Sequence, residues 1–203
     1  MIEAIRADVA EREPVDERER ASISTFLEHV DRLVSPFDED ASPVHVTGSA
    51  VILGERGVVL HRHRRLGIWL QPGGHIDVGE TPWEAAWREA GRRPGCPSTR
   101  RHSIRCAAAP APARRRPPGA EGHTHLDLRY LFGADPVDPA PPPGESPEVH
   151  WLDLDVAIER ADDGLRGLLV ALRTGAPGTA SDGAPSDQRC THDRTSSRSP
   201  SPR

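Results

Sequence analysis

Apolar residues in the N-terminal part of the chain recur at steps of three and four positions. They are Ile23, Phe26, Leu27, Val30, Leu33 and Val34. Because this spacing places them on one side of an α-helix, it predicts an amphipathic helix that packs on a domain. Ser35-Pro36 ends the pattern. We therefore expect residues 1–36 to form an N-terminal helical segment.

From Val44 onward the pattern becomes that of β-strands. Residues 45–54 predict one strand, Glu55-Arg56-Gly57 predict a turn, and residues 58–63 predict the returning strand. A short extended piece at 68–71 leads into Pro72-Gly73-Gly74.

A helix with a well-marked start follows the glycines. Thr81 is the expected N-cap, Pro82 suits the first helical position, and Glu84 completes a capping box. Its predicted buried side carries Trp83, Ala86, Trp87 and Ala90, and Pro94-Gly95 should end it.

The remainder alternates between regular and irregular patterns. Residues 91–121 are rich in Arg, Pro and Ala and show neither helix nor strand period, so they are predicted to be irregular. Residues 123–132 alternate as a strand, and residues 148–152 predict another strand after a proline loop at 139–146. A last helix should begin at Asp153 or Asp155 and end near Arg173. This organisation predicts one domain over 44–173 and a disordered tail over 174–203.

Composition adds bounds to this picture. A chain of 203 residues with 35% apolar residues, 21 Pro and 18 Gly suits one domain with unpacked parts. The net charge of −5 neither favours nor excludes a nucleic-acid partner, and the three cysteines match no zinc or disulfide framework. There is no long apolar run and no signal-peptide layout, so we expect a soluble, cytoplasmic protein without a membrane partner.

The glycine turn and the helix after it carry a motif, with Gly74, Glu80 and the pair Arg88-Glu89 at set spacing. The motif resembles the front part of the Nudix box, G-x5-E-x7-R-E-U-x-E-E-x-G-U, in which U is aliphatic. The resemblance implies an α/β fold, a mixed curved β-sheet sandwiched between α-helices. It also implies Mg²⁺-dependent (or Mn²⁺-dependent) hydrolysis of the diphosphate in a nucleoside diphosphate derivative, a small-molecule nucleotide substrate.

The resemblance also implies roles for individual residues. Gly73 would offer a carbonyl and Glu89 a carboxylate to the metal, and Glu89 is also a candidate base. Arg88 would orient the glutamates, and Glu80 would be a supporting acid.

Substrate contacts are candidates outside the motif. Arg64, within the basic run His61–Arg65, is one of them, although a solvated strand end explains that run equally well. His125 and Arg129 share the polar face of the 123–132 strand with His123 and Asp127. For that face the favoured alternative is a hydrated sheet surface.

The motif departs from the family pattern at its end, where Arg92 and Arg93 replace two glutamates. Guanidinium groups do not ligate Mg²⁺ and should pair with Glu89 instead, so we expect impaired catalysis. The resulting alternative to a hydrolase is a catalytically dead Nudix-fold protein that binds a nucleotide.

A frameshift would explain the arginines. If residues 91–97 are encoded GGG AGG AGA CCG GGC TGC CC, the same bases in another frame give GAG GAG ACC GGG CTG CCC, which is Glu-Glu-Thr-Gly-Leu-Pro. We therefore hypothesise that residues 91–121 are translated in a shifted reading frame. The shift would come from one lost base near codon 91, and the original frame would return by about Gly122. An RNA-binding arm over 91–116 is the weaker interpretation because aromatic residues are missing there, and no specific nucleic-acid partner is expected.

Overall fold

The computed structural model describes residues 1–64, 66–91, 99–111, 123–141 and 146–175, and of residues 99–111 the backbone alone. In chain order the elements are α1 (Ile2–Ala10), α2 (Glu17–Val30), β1 (Val44–Gly54), β2 (Gly57–Arg62), β3 (Trp69–Leu70), β4 (Gly73–His75), α3 (Pro82–Gly91), β5 (Thr99–Ala111), β6 (His123–Gly133), β7 (Val149–Leu152), α4 (Leu154–Arg160) and α5 (Asp163–Thr174).

The described strands form one mixed sheet of seven strands. Its main order is β3-β2-β1-β6-β5, while β4 pairs with β1 and β7 pairs with β2. β1 and β6 are parallel, with His45 opposite His125 and Thr47 opposite Asp127, and the other described pairs are antiparallel. The side chains at these matched positions therefore lie on the same face of the sheet.

Helices cover both faces. One apolar cluster joins the sheet to α1, α2 and α3 and contains Phe26, Ala86 and Phe132. The second joins the opposite face to α4 and α5 and contains Val51 and Leu165. The predicted arrangement of a mixed sheet between helices is confirmed.

The N-terminal segment and the last helix differ in detail from their prediction. The first is two helices, and α2 ends at Val30, before Ser35-Pro36. The Asp16 side chain caps α2 by accepting from the Glu19 N–H at 2.7 Å. The predicted C-terminal helix is two helices, α4 and α5, because the backbone at Ala161 is extended. Asp162 is the N-cap of α5, and its side chain accepts a hydrogen bond from the Leu165 N–H.

The prediction of an irregular segment at 91–121 is wrong for part of it. Residues Thr99–Ala111 form β5, antiparallel to β6, with an irregularity between Arg100 and Ile104. Side-chain periodicity did not indicate this strand, because a neighbouring strand offers its backbone hydrogen bonds to any non-proline residue. The proposed frameshift junction, Arg92 and Arg93, and the predicted tail beyond Gly175 lie outside the described residues.

No helix in the described part of the chain is long and apolar enough to cross a membrane.

Candidate functional site

The turn from β4 into α3 is held close to β1. β4 pairs with β1 through Ser49–Gly73 and Thr47–His75. The α3 helix then crosses β1 at Gly48, where an added Cβ would lie only 2.3 Å from the Pro82 carbonyl oxygen. Only a residue without a side chain permits this approach.

The predicted capping box starts α3. The Glu84 N–H donates to Thr81 Oγ1 at 3.1 Å, and the Thr81 N–H donates to the Glu84 carboxylate at 2.8 Å. Local sequence alone thus fixes where the helix begins. The predicted buried face is only partly right, since Trp83 and Trp87 are half-buried and stacked on each other, while Ala85 and Glu89 are buried.

Arg88 brings the predicted catalytic residues together. Its Nε and Nη2 donate to the two carboxylate oxygens of Glu80, each at 2.8 Å, and its Nη1 donates to Glu89 Oε1 at 2.6 Å. Nη2 also donates to the His75 carbonyl oxygen at 2.9 Å, and Asp77 lies within 3.3 Å. The hydrogen bonds to Glu80 raise the pKa of Arg88 above its usual range, so Arg88 remains a cation.

Glu89 faces the glycine turn from the helix. It is 8% exposed, and a Cβ built on Gly74 would lie 3.3 Å from Glu89 Oε1. Gly73 has the opposite orientation, since a Cβ there would meet Ser49 Oγ at 2.6 Å. The structure therefore places the glycine turn against Glu89, with the contact made through Gly74.

These residues do not fit the complete magnesium site that the motif implies. Mg²⁺ prefers oxygen ligands and needs carboxylates that are available to it. Arg88 orients Glu80 and Glu89, but the two further carboxylates of the motif are missing, because residues 92 and 93 of the sequence are arginines. No catalytic step through a metal follows from this donor set.

The polar side chains at the start of β6 are not a hydrated surface. Asp127 accepts hydrogen bonds from Thr47 Oγ1 at 2.9 Å, from Ser49 Oγ and from Gln71 Nε2 at 3.3 Å. His123 and Arg129 are buried. Because Asp127 is engaged by protein side chains and His123 and Arg129 are buried, the hydrated-surface interpretation is wrong.

The three predicted substrate contacts lie in different surroundings. Arg64 is exposed in the connection between β2 and β3. The Arg129 guanidinium donates to the Gly164 carbonyl oxygen at the start of α5, and its Nε lies 3.3 Å from Asp127. His125 belongs to a group of histidines on the same sheet face.

The sequence pattern did not indicate these histidines as a group. His45, His75 and His125 each have one ring nitrogen that lies within 4.8 Å of the corresponding nitrogens of the other two. Burial, followed by repulsion from His75 and His45, lowers the pKa of His125 to about 4. The alternation of polar residues in 45–49 and 123–129 was a signal, but only the strand register shows that the two runs meet.

A cavity of about 670 Å³ lies elsewhere, between α1 and the start of α3. Met1, Ile5, Arg12, Pro82, Trp83 and Tyr130 are among its lining residues. None of the predicted catalytic, metal or substrate residues lines it.

The NUDIX domain model matches residues 43–172, well over half of the chain. Together with the strand–turn–helix site, this match shows that the chain belongs to the Nudix family. No curated protein matches the chain.

Several solved structures are similar to this chain. The dihydroneopterin triphosphate pyrophosphohydrolase of E. coli is 18% identical with a TM-score of 0.49, over 64% of this chain and 94% of that one. An Ap4A hydrolase of C. elegans is 22% identical with a TM-score of 0.47, over 64% and 95%. A MutT Nudix hydrolase of Burkholderia pseudomallei is 21% identical with a TM-score of 0.48, over 63% and 96%.

Proposed function

We propose that this chain is a Nudix pyrophosphohydrolase for a nucleoside diphosphate derivative, and that Arg92 and Arg93 severely impair its hydrolysis. Glu89 is the proposed metal ligand and base, Gly73 the proposed carbonyl ligand of Mg²⁺ or Mn²⁺, and Glu80 the supporting acid. We also propose a cytoplasmic location.

The Arg88 network is the observation that carries the proposal. A single guanidinium holds Glu80, Glu89 and the His75 carbonyl in one arrangement at the glycine turn. This is the arrangement expected if Arg88 orients the acids, because a planar guanidinium binds carboxylates in fixed geometry. A helix that served only the fold would gain little from burying Glu89 beside a glycine turn.

The impairment follows from charge. Metal bound at a diphosphate neutralises oxygen charge and activates water, and it needs negatively charged ligands to stay there. In the sequence, Arg92 and Arg93 stand at the two positions where the motif has carboxylates, so two positive charges replace two negative ones. A guanidinium donates and cannot ligate a metal ion.

The double substitution Arg92→Glu/Arg93→Glu tests the proposal. We expect Mg²⁺-dependent hydrolysis of ADP-ribose or a related nucleoside diphosphate derivative to rise by roughly 100-fold or more, since metal stabilisation of phosphoryl oxygens contributes several kcal/mol. Product formation is followed by chromatography over a panel of such nucleotides, with and without Mg²⁺.

A matched control makes the same charge change elsewhere. Arg18→Glu/Arg20→Glu alters two exposed residues of α2 and should leave hydrolysis at the wild-type level. Adding Glu89→Gln to the restored variant should abolish the gain. Family-like turnover by the unchanged chain, or no gain in the restored variant, contradicts the proposed impairment.

The alternative is a catalytically dead protein that binds a nucleotide. The two arginines favour it, because guanidinium groups bind phosphate without supporting metal catalysis. This alternative predicts that the unchanged chain binds ADP-ribose-like ligands without metal, and that Arg92→Glu/Arg93→Glu weakens the binding. Calorimetry on both proteins separates binding from turnover.

A further inference from the structure

Three imidazoles lie close together on the face of the sheet that is turned away from α3. His75 Nε2 and His125 Nε2 are 3.3 Å apart. The ring of His45 lies 5.1 Å from that of His75 and 5.0 Å from that of His125, between ring centroids. The parallel register of β1 and β6 sets His45 beside His125, and β4 brings His75 to the same place.

The outer nitrogens of two of these rings face oxygen acceptors. His45 Nδ1 is 3.0 Å from the Ser42 carbonyl oxygen, and His75 Nδ1 is 3.3 Å from the Glu39 carboxylate. A carbonyl accepts only from a protonated nitrogen, so the tautomer that makes this hydrogen bond has its proton on Nδ1 and a lone pair at Nε2. Histidines that bind metal are oriented by such outer oxygens.

His45 Nε2 is an unpartnered polar atom in the protein interior. His45 is 0% exposed, and its Nε2 has no hydrogen-bond partner within the described residues. Leaving a buried acceptor unsatisfied costs about 1–3 kcal/mol. A ligand at the centre of the three rings would satisfy it.

We propose that His45, His75 and His125 form a binding site for a transition-metal ion of the Zn²⁺ class, separate in its ligands from the diphosphate site. Imidazole suits Zn²⁺, Ni²⁺ and Cu²⁺, whereas Mg²⁺ prefers oxygen. Three protein ligands leave a fourth position of a tetrahedral site for water or another ligand.

The spacing of one nitrogen pair agrees with this class of ion, and a ring nitrogen of His45 lies within 4.8 Å of both. Nitrogens at about 2.0–2.1 Å from a tetrahedral Zn²⁺ are about 3.3–3.4 Å from each other. The 3.3 Å between His75 and His125 matches that value.

The surroundings provide charge and access. The Glu39 carboxylate contacts His75 from the outer side, and Asp127 and His123 flank His125 on β6. The side chains of His75 and Glu39 are 18% and 31% exposed, so the cluster opens to solvent on that side.

Metal stoichiometry of the full, tag-free chain tests the site. After chelator treatment, we expect the protein to take up one equivalent of Zn²⁺, measured by mass spectrometry of the eluted metal, and one of Co²⁺ with the visible absorption of tetrahedral coordination. His75→Gln and His125→Asn should each lower the affinity by roughly 100-fold or more, and Glu39→Gln by about 10–100-fold.

Control histidines lie away from the cluster. His150→Gln changes an exposed residue of β7, and His61→Gln/His63→Gln removes a second histidine pair, with ring centroids 6.4 Å apart. Both controls should keep full uptake. Circular dichroism establishes that each variant is folded, and Glu39→Gln remains decisive if a histidine variant is not.

Four results would overturn the site. They are the absence of stoichiometric uptake by the unchanged chain, retained uptake in folded His75→Gln or His125→Asn, unchanged affinity in Glu39→Gln, and loss of uptake in the His61/His63 control.

Discussion

Arg88 contacts three acidic groups at the glycine turn. It donates to Glu80 and Glu89 and also lies within 3.3 Å of Asp77. Removing a partner from a mostly buried ion pair leaves the remaining charges desolvated and unpaired. We expect Arg88→Gln to lower the free energy of unfolding by roughly 3 kcal/mol, measured by urea denaturation.

An exposed arginine gives the comparison for Arg88. Arg56 pairs with Asp138 on the surface, and Arg56→Gln should change stability by about 1 kcal/mol or less. Equal effects of the two substitutions would show that Arg88 is an ordinary surface residue in energetic terms.

At the scale of elements, the contact between β1 and α3 depends on Gly48. A Cβ there would overlap the Pro82 carbonyl and lie 3.3 Å from Ala86 N, both backbone atoms that cannot rotate away. We expect Gly48→Ala to destabilise the protein by about 3 kcal/mol in urea denaturation.

Gly91, at the end of the same helix, is the matched control. Among the residues that the structure describes, none lies within 4 Å of a Cβ at Gly91, so Gly91→Ala should be neutral or slightly stabilising through helix propensity. A Gly48→Ala protein as stable as Gly91→Ala would contradict the close approach of α3 to β1.

Elements with local signals were predictable from sequence, and those that depend on distant partners were not. Thr81 and Glu84 mark the start of α3 because both groups lie within one turn. β5 carries no such signal, because β6 provides its hydrogen bonds. The spacing of Glu80, Arg88 and Glu89 predicted their proximity, whereas the histidine cluster combines three strands whose register no local pattern specifies.

At the scale of the whole molecule, the N-terminal helices contribute to the main core. Phe26 on α2 is 1% exposed and belongs to the apolar cluster shared with α3 and the sheet. We expect Phe26→Ala to lower the free energy of unfolding by roughly 3–5 kcal/mol. Val34→Ala, at a side chain that is 99% exposed, should stay within about 0.5 kcal/mol in the same urea titration.

The parallel pairing of β1 with β6 joins residues far apart in sequence, such as Thr47 and Asp127 with a separation of 80. During synthesis on the ribosome, β1 emerges long before its central partner exists. Until β6 is made, the backbone N–H and C=O groups on one edge of the β1–β2 hairpin have no partner strand. Such unpaired edges favour aggregation. Slow closure of this long loop should limit the refolding rate, and a cell that makes this protein gains from chaperones that shield the nascent chain.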